Sequence, residues 1–130
     1  MGTIFSKIIA GEIPAYKVAE DADHLAILDV NPLVEGHILV MPKAEVNYIF
    51  DMDSDAYASL WAFARQVAKA QKEVVPCLRI GIAVIGLEVP HVHIHLVPLF
   101  TAQDINFTKE RITVAPERMA DLALQISMAR

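Results

Sequence analysis

The chain has 130 residues and a formal net charge of −5, from 11 Lys and Arg against 16 Asp and Glu. It therefore lacks the basic excess that broad capture of nucleic-acid backbones or anionic membranes requires. With 55% hydrophobic and 21% charged residues it carries enough apolar material for a core, which excludes compositional disorder, and its length suits a single domain spanning 1–130.

The lone Cys77 excludes an intrachain disulfide and a cysteine-rich zinc site, and suits a reducing, cytoplasmic setting. No apolar run reaches the ~18 residues of a spanning helix, so a soluble protein is expected.

Residues 3–10 read as a short apolar helix, capped by Thr3 and closed by Gly11 and Pro14. Residues 16–19 and 25–30 read as strands joined by the polar turn Glu20-Asp21-Ala22-Asp23, with Asn31-Pro32 ending the second. Residues 37–41, between Gly36 and Pro42, are too short a run for a helix and suit a buried central strand. From Asp53 or Ser54 onward, Tyr57, Leu60, Trp61, Ala64, Val67, Ala68 and Gln71 recur at helical spacing, with Gln71 the one polar member, and Pro76 stops the helix. Residues 78–85 and 91–97 read as strands joined by Gly86-Leu87-Glu88-Val89-Pro90. A last helix is expected after Pro116, with Met119, Leu122, Ala123, Ile126 and Ala129 on one stripe. Consecutive strands with segregated helices predict an α+β fold.

The most informative segment is His91-Val92-His93-Ile94-His95-Leu96-Val97. Side chains alternate along a strand, so the three imidazoles share one face while Val92, Ile94 and Leu96 share the other. Neighbouring histidines are then ~6–7 Å apart, close enough for two rings to converge on one small group such as a phosphate. Pro90 and Pro98 lack N–H groups, so pairing is expected to stop or fall on an edge near both ends.

Three readings of these histidines compete. One is purely structural. A second is a zinc site, with His24, His37 or Glu88 completing a shell begun by His-x-His. The third is nucleophilic catalysis at phosphorus, for which histidine suits both attack and charge neutralisation.

The alternating triad, together with Thr3-Ile4-Phe5-Ser6-Lys7-Ile8-Ile9, Gly11-Glu12-Ile13-Pro14-Ala15 and the block 29–43, resembles the histidine triad (HIT) family, in particular its Hint-like branch. The resemblance covers roughly residues 3–100 and leaves 101–130 as a C-terminal extension. It implies an antiparallel sheet of about five strands with one long helix and short terminal helices, and a homodimer.

It further implies a nucleotide-binding hydrolase acting at the α-phosphate of purine nucleotide phosphoramidates or related conjugates, with neither cofactor nor metal. In that pattern His93 is the nucleophile that forms a nucleotidyl-histidine. His95 stabilises developing charge and is a candidate to protonate the leaving group, while His91 and His37 orient His93. Asp29 matches the carboxylate that accepts from the ribose hydroxyls, and Ile4, Phe5, Ile8, Ile27 and Leu39 match the apolar surround of the base. Gly86 would let backbone N–H groups approach a phosphate.

Two departures stand out. Glu88 occupies the place of a Ser or Thr five residues before the nucleophile, and Thr3 and Ser6 stand where some bacterial relatives carry zinc-binding cysteines. The third histidine, His95, favours hydrolysis over transfer between sugars. Alternatives are a diadenosine polyphosphate hydrolase and a non-enzymatic nucleotide-binding interaction protein.

Overall fold

The first helix, α1 (Ile4–Ile9), is started by a reciprocal cap. Ser6 N–H donates to Thr3 Oγ1 and Thr3 N–H to Ser6 Oγ, each at 3.2 Å, and Ser6 Oγ also meets Glu45. The computed structural model describes residues 2–130, so Met1, with which the expected 1–130 domain begins, lies outside the described residues. The remaining elements are β1 (Lys17–Glu20), β2 (His24–Leu28), β3 (Ile38–Pro42), α2 (Ser54–Val74), β4 (Arg79–Ala83), β5 (Ile94–Leu99) and α3 (Pro116–Met128). Short 3-10 turns occupy Ile49–Asp51 and Ala102–Ile105.

The five strands form one antiparallel sheet in the order β1-β2-β3-β5-β4. Alternation divides its residues between two apolar clusters. Ala26, Leu28, Ile38, Val40, Ile94 and Leu96 face the layer formed by α2 and α3. Leu25, Ile27, Leu39 and Met41 face the opposite way and are met by Phe5 and Ile8 of α1. The α1 face is covered by one short helix, so it is the face on which a cleft remains open.

Helix α2 starts where Asp53 accepts from Ala56 N–H at 3.0 Å. Its buried face is Leu60, Phe63, Ala64, Val67, Ala70 and Gln71, rotated from the expected stripe. Tyr57, Trp61 and Ala68 are only partly buried, because the covered arc is turned toward Ala70 and toward Phe63, which stacks on His24 of β2. Gln71 is fully buried, and its Nε2 donates to Gly36 O at 2.8 Å and Leu96 O at 2.9 Å, joining α2 to the approach to β3 and to β5. Gly36 has φ +91, and a Cβ there would stand 2.8 Å from Val75, so the turn into β3 requires glycine.

Three strand expectations are corrected. The strand expected at 91–97 begins only at Ile94, because Val40 is the last β3 residue paired with β5. Upstream, Val92 N–H donates to Val46 O and His91 N–H to Val89 O, each at 2.8 Å, so this stretch is tied to loops instead of a ladder. Pro98 was expected to end pairing or mark an edge. It lies within β5, an interior strand, paired with Ile80 of β4 but beyond Leu96, where pairing with β3 stops.

The strand expected at 25–30 ends at Leu28, since Asp29 and Asn31 close a turn. Helix α3 buries Met119, Leu122, Ala123 and Ile126 in the same cluster as α2 and the sheet, so the C-terminal extension supplies part of the core.

Candidate active site

On the α1 face, a cleft of about 630 Å³ is walled by Ile4, Phe5 and Ile8 of α1, Ile27 of β2 and Leu39 of β3, with Asp29 at its rim. The structure thus brings all five expected apolar residues to one surface. A second lobe of about 230 Å³ adjoins it, lined by Gly86, Leu87 and Glu88 among others. His93 and His95 line both lobes and stand where they meet, their ring centroids 4.9 Å apart. Gly86, at φ +73, belongs to the second lobe rather than to the apolar cleft, and Glu88 sits at the exposed edge of both.

The supporting histidines lie beneath. His91 is buried, with Nε2 donating to Pro42 O at 2.8 Å, and its backbone carbonyl accepts from Nδ1 of His93 at 2.7 Å. His37 is fully buried under His95, with Nε2 3.0 Å from His95 Nδ1 and Nδ1 3.1 Å from the Leu33 N–H.

These partners assign the tautomers. A carbonyl can only accept, so His93 carries its proton on Nδ1 and keeps a lone pair on Nε2. An amide N–H can only donate, so His37 Nδ1 is the acceptor and His37 Nε2–H donates to His95 Nδ1. Neutral His95 is left with its proton on Nε2. The two rings at the junction therefore present opposite functions, a lone pair on one and an N–H on the other.

Burial keeps these rings neutral. It lowers His37 to about 3, helped by its neighbours His95 and Arg111, and His95 to about 4, helped by His93 and Arg111. His93 is also lowered by burial, against the opposing pull of its bond to His91 O. Asp29 is raised by burial, countered by the Asn31 N–H and by Arg111.

The competing zinc reading in which His24 completes a shell begun by the triad has no such cluster among the described residues. His24 lies on the helix-covered face of β2, with Nδ1 2.9 Å from Asp21 and Nε2 3.3 Å from Ser59. Donor atoms of Asp29, His37 and His95 do lie within 4.8 Å of one another. A metal there would use His37 Nε2, but Nδ1 of that ring already accepts from Leu33. Ligation would then require an imidazolate, so the donor set does not fit a resident metal.

Sequence reasoning missed Phe107, Lys109 and Arg111, which line the cleft from the segment between Ala102–Ile105 and α3. Phe107 packs edge-on against His95 at 4.7 Å, and Arg111 lies over the Phe107 ring at 5.6 Å. They recur at every second position, but with one apolar and two cationic members that spacing marks no core face, and only the tertiary path places them beside His95.

A model of the HIT domain matches residues 10–102. The chain belongs to the HIT family. Among its HIT relatives, an uncharacterized HIT-like protein of Borreliella burgdorferi is 35% identical over 133 residues, covering 96% of both chains. An adenosine 5'-monophosphoramidase of Schizosaccharomyces pombe is 35% identical over 99 residues, covering 75% of this chain and 74% of its own. A solved HIT-like protein of Bartonella henselae, described as involved in cell-cycle regulation, superposes with a TM-score of 0.84 at 28% identity, over 98% of this chain and 96% of that one. Its likeness agrees with the five-stranded antiparallel HIT fold expected from the resemblance.

Proposed function

We propose that this HIT protein is a nucleotide hydrolase that cleaves purine nucleotide phosphoramidates, or related nucleotide conjugates, at the α-phosphate through a nucleotidyl-histidine on His93. The observation that carries this reading is the opposed pair of tautomers at the junction of the two lobes. The phosphoramidase named among the relatives supports the same substrate class.

In this mechanism the base enters between α1 and the β2–β3 surface, and Asp29 accepts from the ribose hydroxyls. The Nε2 lone pair of His93 attacks the α-phosphorus, and the P–N bond breaks with its electron pair moving to the nitrogen, which takes a proton from solvent in the open cleft and leaves as the neutral amine. Charge that develops on His93 is stabilised through Nδ1–H and the carbonyl of His91. His95 directs its Nε2–H at a phosphoryl oxygen or the departing atom as a neutral hydrogen-bond donor. Its Nδ1 is already engaged by His37, which disfavours an imidazolium and hence the proton-donor role expected from the sequence. Water then attacks phosphorus and gives up a proton to solvent, and the bond to His93 Nε2 breaks with its electron pair returning to that nitrogen, which releases the nucleotide and restores the neutral ring.

A homodimer fits the surface as well. Leu87 is 90%, Phe50 70% and Ile82 54% exposed, and Ile82 belongs to β4, an edge strand with a free ladder. Pairing of β4 with a second copy would cover that edge and these side chains.

The test is turnover of adenosine 5'-phosphoramidate. The unaltered chain should hydrolyse it in the presence of a chelator, and His93→Ala should lose at least about a thousandfold in kcat while binding AMP within a few-fold of normal. Activity abolished by the chelator, or retained by His93→Ala, overturns the proposal.

A further inference from the structure

Burial disfavours charge on both rings at the junction, and two carboxylates, Asp29 and Glu88, line the cleft, yet the substrate read for this site is an anion. Its charge must be met by other groups. The cationic side chains lining the two lobes are Lys109 and Arg111, both beyond the residues matched by the HIT domain.

Arg111 is anchored on one edge only. Its Nη1 donates to Asn31 O at 2.6 Å and stands 3.4 Å from Asp29 Oδ2, while Ile112 N–H donates to Pro32 O at 3.0 Å and fixes the backbone. Its face rests on Phe107, which in turn rests on His95. Nε and Nη2 have no partner among the described residues, and the side chain, 35% exposed, borders both lobes. A guanidinium held in place with an unused donor edge is suited to bidentate contact with phosphoryl oxygens. Lys109 lines the larger lobe without an ion-pair partner among the described residues.

We propose that residues 107–111 form a strap that is part of the substrate site, with Arg111, seconded by Lys109, binding the negatively charged phosphoryl oxygens of the nucleotide. The assignment rests on the nucleotide reading and deepens it. The strap supplies the positive charge that the buried imidazoles do not, and offsets the carboxylate of Glu88. Arg111 is thereby a determinant of affinity for the phosphate and not for the nucleoside.

The experiment measures AMP and adenosine binding by calorimetry for the unaltered chain, Lys109→Ala, Arg111→Gln and Arg111→Lys, each first checked by thermal melting. Gln retains a donor toward Asn31 O and removes the charge, and Lys109→Ala removes no contact that holds the fold. Arg111→Gln is expected to weaken AMP about tenfold, with adenosine within twofold, while Arg111→Lys recovers part of the loss. Lys109→Ala is expected to weaken AMP by a few-fold and to flatten its salt dependence. Unchanged AMP affinity in both charge-removing variants overturns the assignment, as does an equal loss for AMP and adenosine, which marks the strap as scaffold alone. Failure of the unaltered chain to bind AMP overturns the nucleotide reading itself, and this assignment with it.

Discussion

His37 and His95 are joined by a single 3.0 Å hydrogen bond whose direction is set from behind, by the Leu33 N–H on His37 Nδ1. One backbone donor thereby fixes which nitrogen of His95 offers a proton to the cleft. His37 is 0% exposed and lines neither lobe, so in the proposed mechanism it acts through His95 as a positioning residue.

Breaking that bond should be seen in kcat before KM. His37→Leu is expected to lower kcat about tenfold, the upper range for one neutral hydrogen bond, with AMP affinity nearly unchanged. His37→Gln, which keeps a donor near the Nε2 position, should recover part of the rate. Equal loss in both variants, with AMP affinity falling in step, contradicts the positioning role.

His95 itself should behave as a neutral donor. His95→Ala is expected to slow hydrolysis by about tenfold to a hundredfold, by a similar factor for good and poor leaving groups. A loss that grows steeply with leaving-group pKa in a substrate series would restore the proton-donor role.

Acid stability follows from the buried rings. In the fold His95 takes up a proton only at about 4 and His37 at about 3, whereas in the unfolded chain both do so near 6.5. Between these values the unfolded chain binds more protons, so stability rises with pH through the window and levels off above 6.5. Asp29, raised by burial, works the other way just above its ordinary 3.8. Thermal melts should show Tm falling as pH drops from 6.5 toward 4, with a shallower fall in His95→Gln. A flat profile contradicts neutral burial.

The sequence made the helices and strands readable because their periods differ, and Thr3, Asp53 and Pro116 marked helix starts by capping chemistry or the favoured first-turn proline. It also made the apolar cleft readable through Ile4, Phe5, Ile8, Ile27 and Leu39, though only by resemblance, since each suits a core equally well. The start of β5 was not readable, because alternation continues through His93 after the ladder has stopped at Ile94. Arg111 was not readable either. Its role depends on Asn31 and Asp29, 80 and 82 residues earlier, and no local pattern encodes that meeting.

Gln71 links α2 to the carbonyls of Gly36 and Leu96 through one amide nitrogen. Gln71→Leu keeps the volume but removes the donor to Gly36 O and Leu96 O, at a cost of about 1–3 kcal/mol. Urea melts should place the variant about 1–3 kcal/mol below the unaltered chain. A change under about 0.5 kcal/mol contradicts the clamp.

The exposed β4 edge carries the dimer expectation. Ile82→Glu combined with Leu87→Asp should convert a dimer to a monomer in light scattering, because charge is placed on a face that pairing would bury. A chain that is monomeric before substitution contradicts it.

The most direct test of the account is intact-mass analysis of the protein quenched during turnover of adenosine 5'-phosphoramidate. The mechanism requires a transient gain of one adenylyl group, mapped to His93 and absent from His93→Ala. Steady turnover with no such adduct at any mixing time, or an adduct that persists in His93→Ala, would contradict it.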